Sequence, residues 1–330
     1  MAVPAASDRT AADARHIGCR RGQPGPLPGT SASRSQAPTS PSPVHRKNLV
    51  VARVGRRSLH PTWLDDAHER TWDLHLCPYE ELRGAASDSC TVGDVVAGPK
   101  WMGLRALLNG WNGWREYERI WLPDDDVFAT QATIDRMFEV AETLDFDLCA
   151  PALNEASYYA HFTTMRNRRC HARRSGFVEI MVPCFSRAAL ERLLPTLDLT
   201  TTGWGWGLDS LWPKLLGYRG IGVIDCAAVL HTRPVGAFRD AELGRAVRAE
   251  SDRIMERYDC RQVHTTFAAL GEDLEDLALS PEALTVCLAA GWTYLFDTAP
   301  AVLPWLLDAQ RPADGWVDYP IAGSPARGST

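Results

Sequence analysis

Three consecutive carboxylates, Asp124, Asp125 and Asp126, follow the apolar run Ile120-Trp121-Leu122 and a proline. Adjacent acids repel one another, so a folded chain gives them to solvent, to an arginine or to a divalent cation. In an extended segment Asp124 and Asp126 point the same way. Two such carboxylates can hold Mg²⁺ or Mn²⁺ and leave positions open for water and phosphate oxygens. The triplet also fits a solvated acidic turn in which Asp126 caps the helix that follows. Glu179 invites chemistry for a different reason. It stands inside an otherwise apolar strand-like run, Gly176 to Arg187, where a lone carboxylate is costly unless it is paired or placed at a site. Asp209 opens a helix after Thr202-Gly203-Trp204-Gly205-Trp206-Gly207. There it is either a first-turn acid or a general base for a substrate hydroxyl. The glycines allow close backbone approach, and Trp204 and Trp206 can wall a sugar face. His231 ends an apolar strand, and a two-carboxylate metal site takes a further ligand from elsewhere in the chain.

The elements that must position these residues alternate. Asn48 to Gly55 reads as a first, central strand, with Arg53, Arg56 and Arg57 at its carboxyl end, where a nucleotide or phosphate could be met. Thr71 to Cys77 reads as a second strand. A helical stretch from Gly98 to Trp114 carries Lys100 near its start and Trp101, Leu104, Leu107 and Leu108 on one stripe. A helix over 130–144, a strand over 147–153, a helix over 188–194 and a strand over 222–231 complete an α/β layered pattern. Residues 154–175 interrupt it with Tyr158, Tyr159, His161 and a basic cluster from Arg166 to Arg174, read as a functional or solvated loop. Beyond about 240 the chain reads as helical, over 241–258, 262–277 and 281–290. The expected organisation is a disordered leader over 1–45, a catalytic domain over 46–240, a helical extension over 241–310 and a flexible tail over 311–330.

With 330 residues, 45% of them hydrophobic and 23% charged, the chain can build a large core. A net charge of −6 argues against a general nucleic-acid binder. Nine scattered cysteines without a CxxC pair read as reduced thiols. With no apolar run long enough to span a bilayer and no signal-peptide core, the expectation is a cytoplasmic protein.

In series, four blocks resemble the DUF707 family, which looks like a set of GT-A-type glycosyltransferases. They are Trp121 to Asp126, Gly176 to Arg187, Trp206-Gly207-Leu208-Asp209, and Val223-Ile224-Asp225 through His231. The resemblance covers about residues 47 to 240. It implies a Rossmann-like GT-A sandwich whose Asp-x-Asp motif holds Mn²⁺ or Mg²⁺ on the two phosphates of a nucleotide-sugar donor, with a glycan or small molecule as acceptor. By motif position, Asp124, Asp126 and His231 would hold the metal, and Asp125 would meet the ribose or the sugar. Asp209 would be the catalytic base, with Glu179 in reserve. Arg53 and Lys100 are further candidates for the donor, and Trp204 and Trp206 would border the acceptor. The Gly-Trp-Gly-Trp-Gly run is richer in glycine than the family pattern. Two other readings stand beside this one: a non-catalytic nucleotide- or glycan-binding protein of the same fold, and a Mg²⁺-dependent phosphohydrolase. The phosphohydrolase type places its acidic motif after the first strand, with Thr or Val two residues on, where this chain has Phe128.

Overall fold

The computed structural model describes residues 46–64, 69–82, 90–236 and 240–311; the expected leader and nearly all of the expected tail lie outside them. β1 (Asn48–Val54), β2 (Trp72–Pro78) and the short β3 (Thr91–Val92) precede α1 (Lys100–Gly110). β4 (Arg119–Trp121) and β5 (Val127–Phe128) bracket the acidic triplet, and α2 (Gln131–Thr143) follows. α2 starts where the Thr130 hydroxyl accepts the Thr133 amide, and it buries Ile134, Met137, Phe138 and Ala141 on one face. Next come β6 (Leu148–Leu153), β7 (Ala172–Ser175), β8 (Cys184–Ser186), α3 (Arg187–Leu193), α4 (Leu208–Leu215) and the long β9 (Ile221–His231). The described chain ends with α5 (Ala241–Arg257), β10 (Thr266–Leu270), α6 (Pro281–Gly291), α7 (Thr293–Phe296) and α8 (Val302–Gln310).

The sheet runs in the order β3-β2-β1-β4-β8-β6-β9-β7-β10, with β5 paired to the end of β9. Its β3-β2-β1-β4 half is parallel and Rossmann-like, so the molecule is a mixed α/β fold. Every residue of β1 is buried, as expected of a parallel strand covered on both faces. β8 runs antiparallel to both β4 and β6. This parallel order brings the carboxyl ends of β1, β2 and β4 to one edge, the place where open α/β sheets bind ligands. Most of the tryptophans serve the core: Trp63, Trp72, Trp101, Trp114, Trp121, Trp212 and Trp292 are fully buried. Several of these indoles donate to carbonyls, among them Trp63 to Val127 at 2.9 Å and Trp292 to Met165 at 3.0 Å. The described cysteines are all free thiols. Among the described residues no helix is long and apolar enough to cross a membrane.

Four expectations are corrected. The run Gly176 to Arg187 is not one strand, since only Cys184–Ser186 joins the sheet. Residues 262–277 are not helical, because Thr266–Leu270 forms β10 and pairs antiparallel with β7 at the sheet edge. The region after 240 is therefore not a helical appendage; it belongs to the same compact unit as the strands. The basic cluster of 154–175 is not an open loop, because β7 takes Arg173 and Arg174 into the sheet. Arg173 is fully buried. It forks onto Asp225, also fully buried, through Nε at 2.8 Å and Nη2 at 3.0 Å, and it donates to the carbonyls of Thr163 and Met165. Asp225 also accepts the Asn167 amide at 2.7 Å. Removing one partner of such a pair strands the other charge, so Asp225→Asn is expected to cost roughly 3–5 kcal/mol of stability, read as a shift in the chemical-denaturation midpoint.

Candidate active site

The acidic triplet is held by what lies opposite it. β4 ends at Trp121, whose indole donates to the Val182 carbonyl at 3.0 Å. Beyond β4, the Leu122 amide reaches the Pro183 carbonyl and the Asp124 amide reaches the Met181 carbonyl, both at 2.9 Å. Lys100, at the start of α1, closes this junction. Its ammonium contacts Asp124 at 2.6 Å and the carbonyls of Ile180 and Met181 at 2.8 and 2.7 Å. Burial pulls Lys100 down and Asp124 up, and their contact opposes both shifts. Those three contacts use all three ammonium protons, so Lys100 is a structural cation here and not an open donor for a phosphate. Arg53 is corrected in the same way. Its guanidinium is buried and donates to the carbonyls of Cys77, Pro78, Val96 and Gly98. It packs so tightly on α1 that a Cβ at Gly103 would overlap it.

Asp125 has both oxygens engaged. The Tyr79 hydroxyl donates to one at 2.7 Å and Arg233 meets the other at 3.2 Å. The tyrosine is pushed well above its ordinary range by burial and by this carboxylate. Arg233 also donates to the Arg57 carbonyl at 2.7 Å and lies 3.9 Å from Asp126. Tyr79 and Arg233 were not singled out from sequence. A tyrosine just past one strand and an arginine just past another carry no local pattern, and only the sheet order brings them together.

Asp126 and His231 do meet. Pairing of Val127 with His231 in the β5–β9 ladder fixes them side by side. The His231 Nδ1 lies 2.8 Å from the Tyr158 carbonyl, an acceptor, so Nδ1 carries the proton. A neutral ring then turns its Nε2 lone pair toward Asp126 Oδ1, 3.4 Å away, a buried oxygen with no hydrogen-bond partner. Two lone pairs face each other, and the arrangement asks for a second ring proton or a cation between them. Burial disfavours the charged ring, but Asp126, the Tyr158 carbonyl and Asp124 outweigh it and raise the His231 pKa. This donor chemistry, an imidazole oriented by a backbone carbonyl beside an orphaned carboxylate oxygen, fits a divalent ion. Among the described residues no group of three or more His, Cys, Asp and Glu side chains is gathered to hold a metal. Of the three ligands expected, the structure sets two together and gives Asp124 to Lys100.

Beside this pair is a cavity of about 420 Å³ lined by Glu179, Asp209, Trp206, Tyr159, His161 and Arg248, among others. Trp204 is half-buried and does not line it. The glycine-rich loop that carries both indoles is fixed from outside the expected catalytic domain. Glu250 of α5, 2% exposed, accepts from the hydroxyls of Thr200, Thr201 and Thr202 and from the amides of Thr201 and Thr202. Gly207, at φ +91°, then turns the chain into α4 without a side-chain cap, and Asp209 follows in the first turn. At Gly205, φ +78°, a Cβ would overlap Trp101. Glu250 has no sequence signature, because an acid in an amphipathic helix reads as surface.

The cavity holds two carboxylates with different acidities. Burial raises Asp209 to about 6, against the pull of Ser210 and nearby amides. Burial, with Asp209 close by, raises Glu179 to about 8, and one of its oxygens has no partner. At neutral pH the first is ionised and the second protonated, a division suited to base and hydrogen-bond donor.

No family model matches the chain, and no curated protein matches it. Among solved structures it is similar to S. aureus TarS 1-349, with 11% identity, a TM-score of 0.41 and coverage of 77% of this chain and 73% of that one. The same protein in complex with UDP-GlcNAc gives 10% identity, a TM-score of 0.39 and coverage of 80% and 79%. Likenesses this weak carry no weight for function.

Glu179 binds its proton more tightly folded than unfolded, so between about pH 4.5 and 8 stability falls as pH rises. The slope from this one group is at most ~1.4 kcal/mol per pH unit. Glu179→Gln is expected to raise the melting temperature at pH 8 and to leave it nearly unchanged near pH 4. A stabilisation independent of pH would contradict the assignment.

Proposed function

We propose that this chain is a GT-A-type glycosyltransferase that moves a sugar from a nucleotide-sugar donor to an acceptor hydroxyl. The observation that carries the reading is the facing pair Asp126 and His231 at the carboxyl edge of the sheet, beside a cavity holding Glu179 and Asp209. The DUF707 resemblance points the same way. Asp126 and His231 would hold Mn²⁺ or Mg²⁺. When bound, the ion supplies positive charge against the diphosphate as the anomeric bond breaks. The chain's own residues do the rest. Arg233 is the partly open cation beside the triplet, placed to meet a phosphate oxygen, and Asp125 holds it there. A ribose hydroxyl on Asp125 would add to the two donors it already has. Asp209 takes the proton from the acceptor hydroxyl, and protonated Glu179 donates a hydrogen bond within the same cavity. Trp206 walls the acceptor; Trp204 lies in the same loop and does not line the cavity.

Calorimetric titration with UDP, GDP, CDP and ADP, each with and without Mn²⁺, tests the donor half. One diphosphate is expected to bind tightly, with binding lost on chelation. Asp126→Asn is expected to abolish metal-dependent binding with the far-UV spectrum unchanged, and wild-type affinity in that variant would remove the metal assignment.

Asp209→Asn is expected to keep donor binding and lose turnover by about 10²–10⁴-fold. Because the base must be ionised, wild-type turnover should fall as pH drops below about 6. Undiminished turnover in Asp209→Asn, or an acid limb kept at the same pH by residual activity in that variant, would remove Asp209 as the base.

A further inference from the structure

The cavity that holds Glu179 and Asp209 takes one wall from α5. That helix buries Gly244, Val247, Glu250 and Ile254 along one stripe. Arg248 and Ser251 flank the stripe, three residues apart on one face. Ser251 packs against Gly207, where a Cβ would come within 3.2 Å of the Ser251 backbone and hydroxyl. Gly207 starts the helix that carries Asp209. Arg248 therefore stands one helical turn from the contact that seats the base, and Gln262 reaches the same cavity from the segment before β10. The cations around the site differ in what they have left to give. Lys100 is spent on Asp124 and two carbonyls, and Arg233 is engaged by Asp125 and the Arg57 carbonyl. Arg248 makes no ion pair or hydrogen bond with the described residues, and neither do the side chains of Ser251, Gln262 and Tyr159 in the same lining. Glu179 adds a buried oxygen without a partner.

We infer that the acceptor carries an anionic oxygen group, a carboxylate, sulfate or phosphate, which Arg248 holds while a hydroxyl of the same molecule reaches Asp209. The inference rests on the transferase reading of this cavity. Arg248 is exposed, and a guanidinium loses little by staying in water, so alone it would be a solvated side chain. Its company distinguishes it. Arg248, Gln262, Ser251, Tyr159 and protonated Glu179 all have a proton to donate, and a guanidinium has no acceptor at all. A neutral polyol brings a proton with every hydroxyl and sets donors against donors. An oxyanion brings acceptors alone, and a guanidinium pairs with one through two parallel bonds. The same positive charge offsets the repulsion between the acceptor's anion and ionised Asp209.

The test uses the full chain on an array of defined glycans in matched pairs, each uronate, sulfated or phosphorylated glycan beside its neutral counterpart, with Arg248→Gln and Arg248→Lys beside wild type. Wild type is expected to retain one acidic type about tenfold more tightly than its neutral partner. Arg248→Gln should lose that preference, and Arg248→Lys should keep part of it, because an ammonium holds the charge without the fork. A net charge of −6 opposes any general attraction of acids, so selective retention reports a local site. The acid group retained identifies which oxyanion the site takes. The side chain is exposed, so neither variant should unfold, and nucleoside-diphosphate binding on the same samples is the control. Equal retention of acidic and neutral partners by wild type overturns the inference, and so does an acid preference that survives Arg248→Gln. Diphosphate binding with no glycan retained overturns the anionic acceptor alone; loss of both overturns the transferase reading on which it stands.

Discussion

The site depends on one half-buried cation. Three acids at the end of a core strand would repel each other and the strand would fray, but the Lys100 ammonium neutralises Asp124 and spends its other protons on the carbonyls of Ile180 and Met181. The same contact that allows the triplet therefore draws an apolar segment across it. That segment has no ladder of its own between Gly176 and Pro183. Its carbonyls are satisfied in part by Lys100, by the Trp121 indole and by amides just beyond β4. Glu179 is carried on it, so the charge that stabilises the acidic turn also places a fourth carboxylate beside it.

The cost of that arrangement is borne by protonation. Glu179 and Asp209 are both nearly removed from water, and each moves toward its neutral form, but to different extents. Asp209 sits in the first turn of α4, where Ser210 and backbone amides favour the ionised form; Glu179 has one oxygen with no partner. A pair of acids separated in this way can act in two roles at one pH, and it does so at the expense of stability above the ordinary carboxylate range.

The C-terminal third is part of the same machinery. Glu250 on α5 ties down the loop that leads to Asp209, and β10 widens the sheet that α8 leans on. The cavity walls therefore come from both sides of residue 240. A boundary drawn there from sequence cuts through the site, because the composition changes at that point while the packing does not.

Much of the scaffold was legible along the chain. The β1 run, the α2 stripe, the strand at 148–153 and the helix after Asp240 follow from periodicity, which acts within a few residues, although the cap of α2 is Thr130 and not Asp126. The acidic triplet, Glu179, Asp209 and His231 were marked by their types alone: acids where apolar residues surround them, and a histidine at a strand end. Two kinds of information were beyond reach. Backbone pairing of an apolar run depends on what lies across from it, so Gly176 to Pro183 and Thr266–Leu270 were misassigned. The role of a cation depends on how many of its donors are already taken, so Arg53 and Lys100, which look open to phosphate in sequence, are bound to carbonyls in the fold. Sequence determined which residues carry charge and which carry the core. Tertiary structure decided which charges are spent holding the fold together and which remain for a ligand, because that depends on distances between residues far apart in the chain.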